Sequence, residues 1–245
     1  MKRHATGIVT ALAAEARALT RHTLHPGKLI AVGDGCDLWL GGMGLHAARA
    51  AAEALVDAGA TALVAFGVAG ALAPGMRSGT LFSPSCILDQ RGHDYVPSPS
   101  WRASLNQRLL ATGLPVMLEG SLLSLDAPLL DSASKGAMRE HHMAMAVDME
   151  SAAVGAVAAE QHLPFVVLRA IVDERDDDIP AALQAGIDAW GRPRPLGMLA
   201  ILARHPGLLA CLPDLAARMG KATRALRAAA EAAGAGLGRE PPRPC

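Results

Sequence analysis

Short apolar runs alternate with longer amphipathic stretches along most of the chain. A run in which nearly every residue is apolar is typical of a strand buried on both faces, whereas apolar residues three or four positions apart predict a helix. Because strands and helices alternate, we expect an α/β fold with three layers, α/β/α, around a mixed, mostly parallel central sheet. Strands are predicted at residues 5–12, 61–67 and 164–173, and helices at residues 13–22, 45–59 and 131–141.

The composition agrees with this architecture. Hydrophobic residues make up 51% of the 245 residues and aromatic residues only 3%, so the core must be built from aliphatic side chains. Such a core suits helices packed on a buried sheet. No linker or repeat divides the chain. We therefore expect one main domain over residues 1–190, and a helical extension over residues 191–245 that packs on or beside it and is not an independent domain.

Charge is unevenly distributed, although the formal net charge is zero. A neutral chain argues against nucleic acid as the main partner. Residues 191–245 nevertheless carry a net charge of +6, and residues 1–190 a net charge of −6. Apolar residues at helical spacing lie beside the basic residues of the extension, as in an amphipathic helix. Such a helix either lies on an anionic membrane surface or docks on the acidic body, and both interpretations stay open.

Other features bear on the cellular compartment. The four cysteines are far apart, which predicts reduced thiols in a cytoplasmic protein and no disulfide or zinc framework. The start, MKRHATGIVTALAAEA, is similar to a signal peptide, but its apolar run is short and an acid follows at once, so a first strand is preferred. No apolar run of roughly 18 residues predicts a transmembrane helix. We expect a cytoplasmic protein, either free or peripheral at the inner membrane.

Acidic residues follow several of the predicted strands. Glu15 follows the first strand, Asp126 follows an apolar run near residues 116–124, and Asp173 ends the last predicted strand. Glu150 begins the buried helix that leads into that strand. Ligands of open α/β sheets bind beyond the carboxyl ends of the strands. Three or four of these acids are therefore expected to converge on one rim of the sheet.

Each of these features has a simpler interpretation when taken alone. Glu15 is also consistent with a solvated helix residue, Asp173 with the start of an acidic loop, and Glu150 with a charge that stabilises a helix N-terminus. The glycine-rich stretch that includes Ala69 and Gly70 is typical of turns, and also of a backbone that approaches a ligand closely. The joint order of the features along the chain is what indicates an active site.

Six segments carry this order: GIVTALAAEARAL, GMGLHAA, FGVAGALAPGMRSGTL, LSLDAPLL, VDMESAA and PFVVLRAIVDERDD. Together they resemble the purine nucleoside phosphorylase / methylthioadenosine–S-adenosylhomocysteine nucleosidase superfamily over about residues 6–180. The segment WGRPRPLGMLAILARHPGLLACLPDLAARM is similar to the C-terminal extension of the hopanoid-associated branch of that superfamily. Members of this branch are thought to remove adenine from adenosylhopane during bacterial hopanoid synthesis.

The resemblance implies an enzyme that cleaves the C1′–N9 bond of an adenine nucleoside, with residues 1–190 as its catalytic domain. Asp173 matches the family acid that addresses purine N7, and Glu15 matches the carboxylate that activates water. Met149 would pack beneath the ribose. Glu150 would accept hydrogen bonds from the ribose hydroxyls, because a carboxylate can take two O–H donors at once. Asp148 would face the protein, with its backbone near the base.

Water is favoured over phosphate as the nucleophile, because no arginine precedes Glu15 in its loop. In a phosphorylase, inorganic phosphate would be a co-substrate, and Arg49, Arg77 and Arg169 are its candidate partners. We expect no other cofactor and no metal.

Three positions depart from the nucleosidase pattern. Val68 replaces a common serine, Pro128 replaces a phenylalanine that stacks on the purine, and Met43 replaces another apolar residue near the ribose 5′ position. The backbone of Leu129 is still expected to contact the adenine edge. A large apolar 5′ group and sequence drift account equally well for these changes.

Three functions follow as hypotheses: cleavage of adenosylhopane, cleavage of a small soluble nucleoside such as methylthioadenosine or S-adenosylhomocysteine, and non-catalytic nucleoside binding. The presence of Glu15, Glu150 and Asp173 together argues against the third. The resemblance also predicts a homodimer.

Overall fold

The structure is a computed structural model that describes residues 5–33, 35–234 and 236–239. The strands are β1 (Ala5–Thr10), β2 (Leu29–Gly33), β3 (Cys36–Leu40), β4 (Ala60–Ala71), β5 (Leu81–Phe82), β6 (Cys86–Asp89), β7 (Asp94–Tyr95), β8 (Val116–Met117), β9 (Ser121–Ser124), β10 (Ala146–Asp148) and β11 (Phe165–Asp173). The α-helices are α1 (Ala13–Leu19), α2 (Leu45–Asp57), α3 (Pro99–Leu110), α4 (Ser132–His142), α5 (Ser151–Glu160), α6 (Pro195–Arg204) and α7 (Leu212–Ala233). Two 3₁₀ segments cover Ala181–Gly186 and Pro206–Ala210.

Strand β4 organises the sheet. Val64 at its centre lies between Ile8 of β1 and Val166 of β11, and both neighbours run parallel to β4. The far end of β4 diverges from β1 and pairs antiparallel with β10, through Gly70 and Val147. The carboxyl ends of β1, β4 and β11 therefore open at one rim of the sheet, where β10 also ends.

Apolar clusters cover both faces of this sheet. One cluster joins β1, β4 and β11 to α1, α3 and α7, for example through Leu105 and Leu226. The other cluster joins the opposite face of the same strands to α2 and α5, for example through Leu55 and Val154. Because helices bury both faces, the strands can be apolar throughout, as their sequences predicted. The predicted α/β fold with its mixed, mostly parallel sheet is confirmed.

Element boundaries differ from the predictions where tertiary pairing intervenes. The first predicted strand is confirmed as β1, which is buried along its whole length. Strand β4 continues to Ala71, beyond its apolar run, because its glycine-containing end pairs with β10. Strand β10 itself was not predicted, since three residues are too few to show a periodicity.

The C-terminal region contains two kinds of helix. Ala222, Leu226 and Ala229 of α7 are fully buried in the core, so the second half of this helix docks on the body. In contrast, α6 has no buried residue. None of the helices within the described ranges is both long and apolar enough to cross a membrane. No disulfide joins the cysteines of those ranges, and Cys245 lies outside them.

Candidate active site

A cleft of about 230 Å³ opens at the carboxyl ends of β1, β4, β10 and β11. Its lining is mostly apolar, with a few carboxyl groups. The structure brings to this cleft all the residues to which the sequence assigned catalysis or nucleoside binding: Glu15, Met43, Val68, Ala69, Gly70, Pro128, Leu129, Asp148, Met149, Glu150 and Asp173. Two further apolar residues, Ile179 and Met219, complete the wall from the segments after β11.

Glu15 lies in the first turn of α1 and is buried. Its Oε2 accepts hydrogen bonds from the backbone N–H groups of Ala11 and Leu12, at 2.9 and 2.8 Å. Its Oε1 accepts a third, 2.8 Å long, from the N–H of Val68. Burial raises the pKa of this carboxyl above its usual range, although the nearby Arg169 charge opposes the shift. The group is therefore rigidly held and more basic than an exposed glutamate.

Arg169 lies at the centre of an acidic group that we call the Arg169 cluster: Arg169, Glu15, Asp148 and Glu150. The guanidinium is 1% exposed, lies 2.5 Å from the Asp148 carboxylate and 3.6 Å from that of Glu150, and donates to the Ser151 hydroxyl. Asp148 also accepts a 2.5 Å hydrogen bond from Ser124. Asp148 thus faces the protein. Arg169 pairs with two of the carboxyl groups, and its charge also acts on the third, that of Glu15.

Glu150 stands where β10 gives way to α5. Its Oε1 accepts a hydrogen bond of 3.1 Å from the backbone N–H of Gly44. Burial raises its pKa to about 7; the Arg169 charge opposes this shift and the Asp148 charge adds to it. Met149, the preceding residue, is half-buried in the cleft wall. A carboxyl that titrates near neutrality beside an apolar surface suits a ligand with hydroxyl groups on one face.

Asp173 ends β11 on the other side of the cleft. Its Oδ2 lies 2.5 Å from the Nζ of Lys135, a fully buried lysine of α4. Burial raises the pKa of Asp173, and the Lys135 charge is the main opposing influence. We call Lys135, Asp173 and the two backbone carbonyls that Lys135 also contacts, those of Glu174 and Asp177, the Lys135 cluster.

Two glycines of β4 make room for these groups. A Cβ at Gly67 would overlap both the Glu15 carboxyl and the Arg169 guanidinium. A Cβ at Gly70 would lie 2.9 Å from Oδ2 of Asp173, closer than carbon and oxygen tolerate without a shift. The glycine-rich stretch therefore admits charged side chains next to the backbone, which its turn-like composition alone did not indicate.

Three other charged residues that the sequence suggested lie away from the cleft. Asp126 is exposed and contacts Gln90. Arg49 pairs with Glu53 and Glu160 on the surface, and Arg77 pairs with Glu174. Of the four acids that follow or adjoin predicted strands, Glu15, Glu150 and Asp173 thus line the cleft, and Asp126 does not.

Lys135 had no identifying signal in the sequence, because it occurs in a polar helix. Arg169 had one, since an arginine within the apolar run FVVLRAIVD must be paired once it is buried.

The comparisons with known proteins agree with this architecture. Residues 9–190 match the family model described as the phosphorylase superfamily. A curated 5′-methylthioadenosine/S-adenosylhomocysteine nucleosidase of Shewanella oneidensis is 28% identical over 109 residues, which are 44% of this chain and 46% of that protein. The match thus spans about half the length of that relative.

Solved structures resemble the chain over most of its length. The futalosine hydrolase of Helicobacter pylori superposes with a TM-score of 0.66 and 16% identity, covering 94% of this chain and 98% of that one. A 5′-methylthioadenosine/S-adenosylhomocysteine nucleosidase from Neisseria meningitidis, in complex with methylthio-immucillin-A, gives a TM-score of 0.66 and 16% identity, covering 93% and 99%. At these identities the likeness shows a shared fold.

Proposed function

The chain belongs to the phosphorylase superfamily, and we propose that it is a hydrolase that cleaves the N-glycosidic bond of an adenine nucleoside. The observation that carries this proposal is the meeting of Glu15, Glu150 and Asp173, distant in sequence, around one cleft. The similarity to a curated 5′-methylthioadenosine/S-adenosylhomocysteine nucleosidase supports it.

The proposed chemistry divides between the two sides of the cleft. A ribosyl centre that loses its base becomes oxocarbenium-like, and adenine leaves readily only if a ring nitrogen is protonated. Asp173 would donate this proton to N7, as the C1′–N9 electron pair passes to the base. Glu15 would accept a proton from the attacking water. Glu150 would bind the ribose hydroxyls, and the negative charge of the Arg169 cluster would stabilise the cationic sugar.

Water is the proposed nucleophile because the cleft offers little to a phosphate dianion. Of the three candidate arginines, Arg169 alone adjoins the cleft, and two carboxylates and a hydroxyl already engage it. The carboxyl groups of Glu15 and Glu150 would repel the dianion. Phosphate as a co-substrate belongs to the alternative, a phosphorylase.

For the substrate we propose adenosylhopane or a similar lipid-linked adenine nucleoside. Met43 and Val68 keep one side of the cleft apolar. The N–H of Met43 donates to the carbonyl of Ala189, 2.9 Å away, in the segment that leads into α6. A long apolar 5′ group that passes Met43 would therefore emerge beside α6. The similarity to the hopanoid-associated branch supports this substrate.

The outer face of α6 supports a peripheral site at the inner membrane. Leu196 and Leu199 are 84% and 66% exposed, while Met198 and Ile201 turn inward against Gly186. The surrounding arginines are also exposed: Arg192, Arg194 and Arg204. An apolar face with basic neighbours suits an anionic bilayer surface. Because α7 is docked on the body, α6 is the part of the extension that we propose to contact lipid.

Adenine release separates the candidate functions. We expect the protein to release adenine from an adenosylhopane suspension without added phosphate. Chromatography measures the adenine. Faster release from methylthioadenosine would favour the soluble substrate, which the curated relative makes the second candidate. A strict need for phosphate would identify a phosphorylase, and no release from any adenine nucleoside would leave only nucleoside binding.

Vesicle sedimentation tests the membrane contact. Removal of the extension after residue 190 would take α7 out of the core, so point substitutions are the better probe. In Leu196→Ser/Leu199→Ser, affinity for phosphatidylglycerol/phosphatidylcholine vesicles should fall at least about tenfold, because two exposed apolar side chains are lost. Leu110→Ser, at a 61% exposed leucine of α3, is the matched control and should bind normally. Equal binding by all three proteins would contradict the proposal.

We also propose a homodimer, as expected for this superfamily. Light scattering coupled to gel filtration checks the mass in solution, and a monomer at micromolar concentration would contradict it.

A further inference from the structure

A fully buried lysine lies behind the proposed acid. Lys135 extends from α4 into the space between that helix and the chain after β11, and its Nζ is 2.5 Å from Oδ2 of Asp173. The same Nζ donates to the carbonyl oxygens of Glu174 and Asp177, both at 2.9 Å. An ammonium has three N–H donors, and each has an acceptor here. The lysine is therefore held in one position as a satisfied cation.

The helix that carries Lys135 is itself anchored to the chain after Asp173. The Asp131 side chain caps α4 by accepting from the N–H of Ser134, at 2.7 Å. The N–H of Ser132 donates to the Asp178 carboxylate, at 2.9 Å. Because α4 is joined to residues 174–178 at several points, the Lys135 contact has a defined geometry and is more than a surface ion pair.

Other charges near Asp173 are largely engaged with one another. Arg218 of α7 pairs with Asp177 and Asp214, and Arg77 pairs with Glu174. Asp177 raises the pKa of Asp173 and Arg218 lowers it, but both effects are smaller than those of burial and of Lys135. Lys135 is thus the cation that contacts the carboxyl directly.

We propose that Lys135 is a positioning residue for the reaction: it holds one oxygen of Asp173, leaves the other to face the purine, and stabilises the carboxylate that proton transfer creates. In this step the Asp173 O–H bond breaks and the N7–H bond forms, while the C1′–N9 electron pair leaves with adenine. Lys135 takes no part in the proton transfer itself. The inference rests on the proposed function and adds the group that keeps a buried carboxylic acid strong enough to give up its proton.

The pH dependence of Lys135→Met tests this role. Asp173 must be protonated to act, so activity falls as the pH rises through its pKa, and loss of the lysine charge should raise that pKa. The basic limb of the kcat/KM profile should move up by about one pH unit or more. At the optimum, kcat/KM should fall about 10- to 100-fold as the carboxyl loses its orientation. Lys28→Met, at an exposed lysine, is the control and should leave both unchanged.

A double substitution separates positioning from folding. If Lys135 acts through Asp173, Lys135→Met should cost less than about twofold when added to Asp173→Asn. The inference is overturned if Lys135→Met leaves the basic limb of the kcat/KM profile in place. It is also overturned if Lys135→Met lowers kcat/KM as much in the Asp173→Asn background as in the wild type. Either result would leave the proposed function intact. Near-normal turnover of Asp173→Asn alone would instead overturn the proposed function. If Lys135→Met fails to fold by circular dichroism, Lys135→Gln, whose amide still donates to carbonyl oxygens, is measured against the same outcomes.

Discussion

The two sides of the cleft solve the burial of charge differently. In the Arg169 cluster one guanidinium pairs with Asp148 and Glu150 and lies near the Glu15 carboxyl. In the Lys135 cluster one ammonium contacts one carboxylate and two neutral backbone carbonyls. When its carboxyl groups are ionised, the first side therefore carries excess negative charge, whereas the second is balanced. Excess negative charge suits a sugar that becomes cationic, and a balanced pair suits an acid that must lose a proton and recover it. The difference assigns the sugar to one side and the base to the other.

The largest effects are expected when the proposed proton donor or acceptor is removed. Glu15→Gln and Asp173→Asn keep side-chain volume but should each lower kcat/KM for adenine release about 10²–10⁴-fold. In the wild-type profile, activity should be lost at low pH as Glu15 is protonated and at high pH as Asp173 is deprotonated. Glu15→Gln should abolish the first dependence and Asp173→Asn the second. Near-normal turnover in either variant would contradict the division of roles.

Removal of the Arg169 guanidinium should destabilise the Arg169 cluster, because its carboxyl groups outnumber its cations. Arg169→Met leaves the buried Asp148 without its charge partner, and should lower the free energy of unfolding by about 3–5 kcal/mol. Urea denaturation at pH 7.5 measures this. Arg77→Met is the matched control, because Arg77 is largely exposed and its loss should leave the free energy of unfolding nearly unchanged. Similar decreases in the free energy of unfolding in both variants would contradict the expectation that the buried Arg169 cluster depends more on its cation than a surface ion pair does.

A smaller effect concerns stability as a function of pH. The pKa of Glu150 is raised to about 7 in the folded protein, chiefly by burial. The folded state therefore holds this proton more tightly than the unfolded chain, and the associated stability is complete at low pH and lost as the pH rises through 7. The Glu150→Gln variant has no carboxyl to deprotonate at this position, so its stability does not decrease in this way. Relative to wild type, the variant should gain about 1–3 kcal/mol between pH 5 and pH 8.

Urea denaturation of both proteins at the two pH values provides the measurement. Glu15, whose pKa is also raised by burial, is present in both proteins, so both curves contain its titration. Parallel pH dependences in the two proteins would contradict the assignment of the shift to Glu150.

Much of the fold could be predicted from local patterns. β1, β4 and β11 are continuous apolar runs, and α2 shows clear helical periodicity, so hydrophobic burial alone identifies them. Strand β10 could not be predicted, because its identity as a strand depends on pairing with β4 and β9. The acids Glu15 and Asp173 were accessible to prediction because each lies at the carboxyl end of a strand, where ligands of open α/β sheets bind. Asp126 also follows a strand but lies away from the cleft, so this position alone does not decide which acids converge.

The sequence by itself determined the order of strands and helices and the acids available for chemistry, because hydrophobic periodicity and position after a strand are local properties. Only the tertiary structure decided how the charges are paired. Lys135 and Asp173 are 38 residues apart, and nothing in a polar helix shows which acid its lysine will meet. It also decided which of two amphipathic helices is covered: α7 packs in the core and α6 leaves its leucines exposed. Ion pairing and burial depend on distances across the folded chain, which a pattern of residues does not contain.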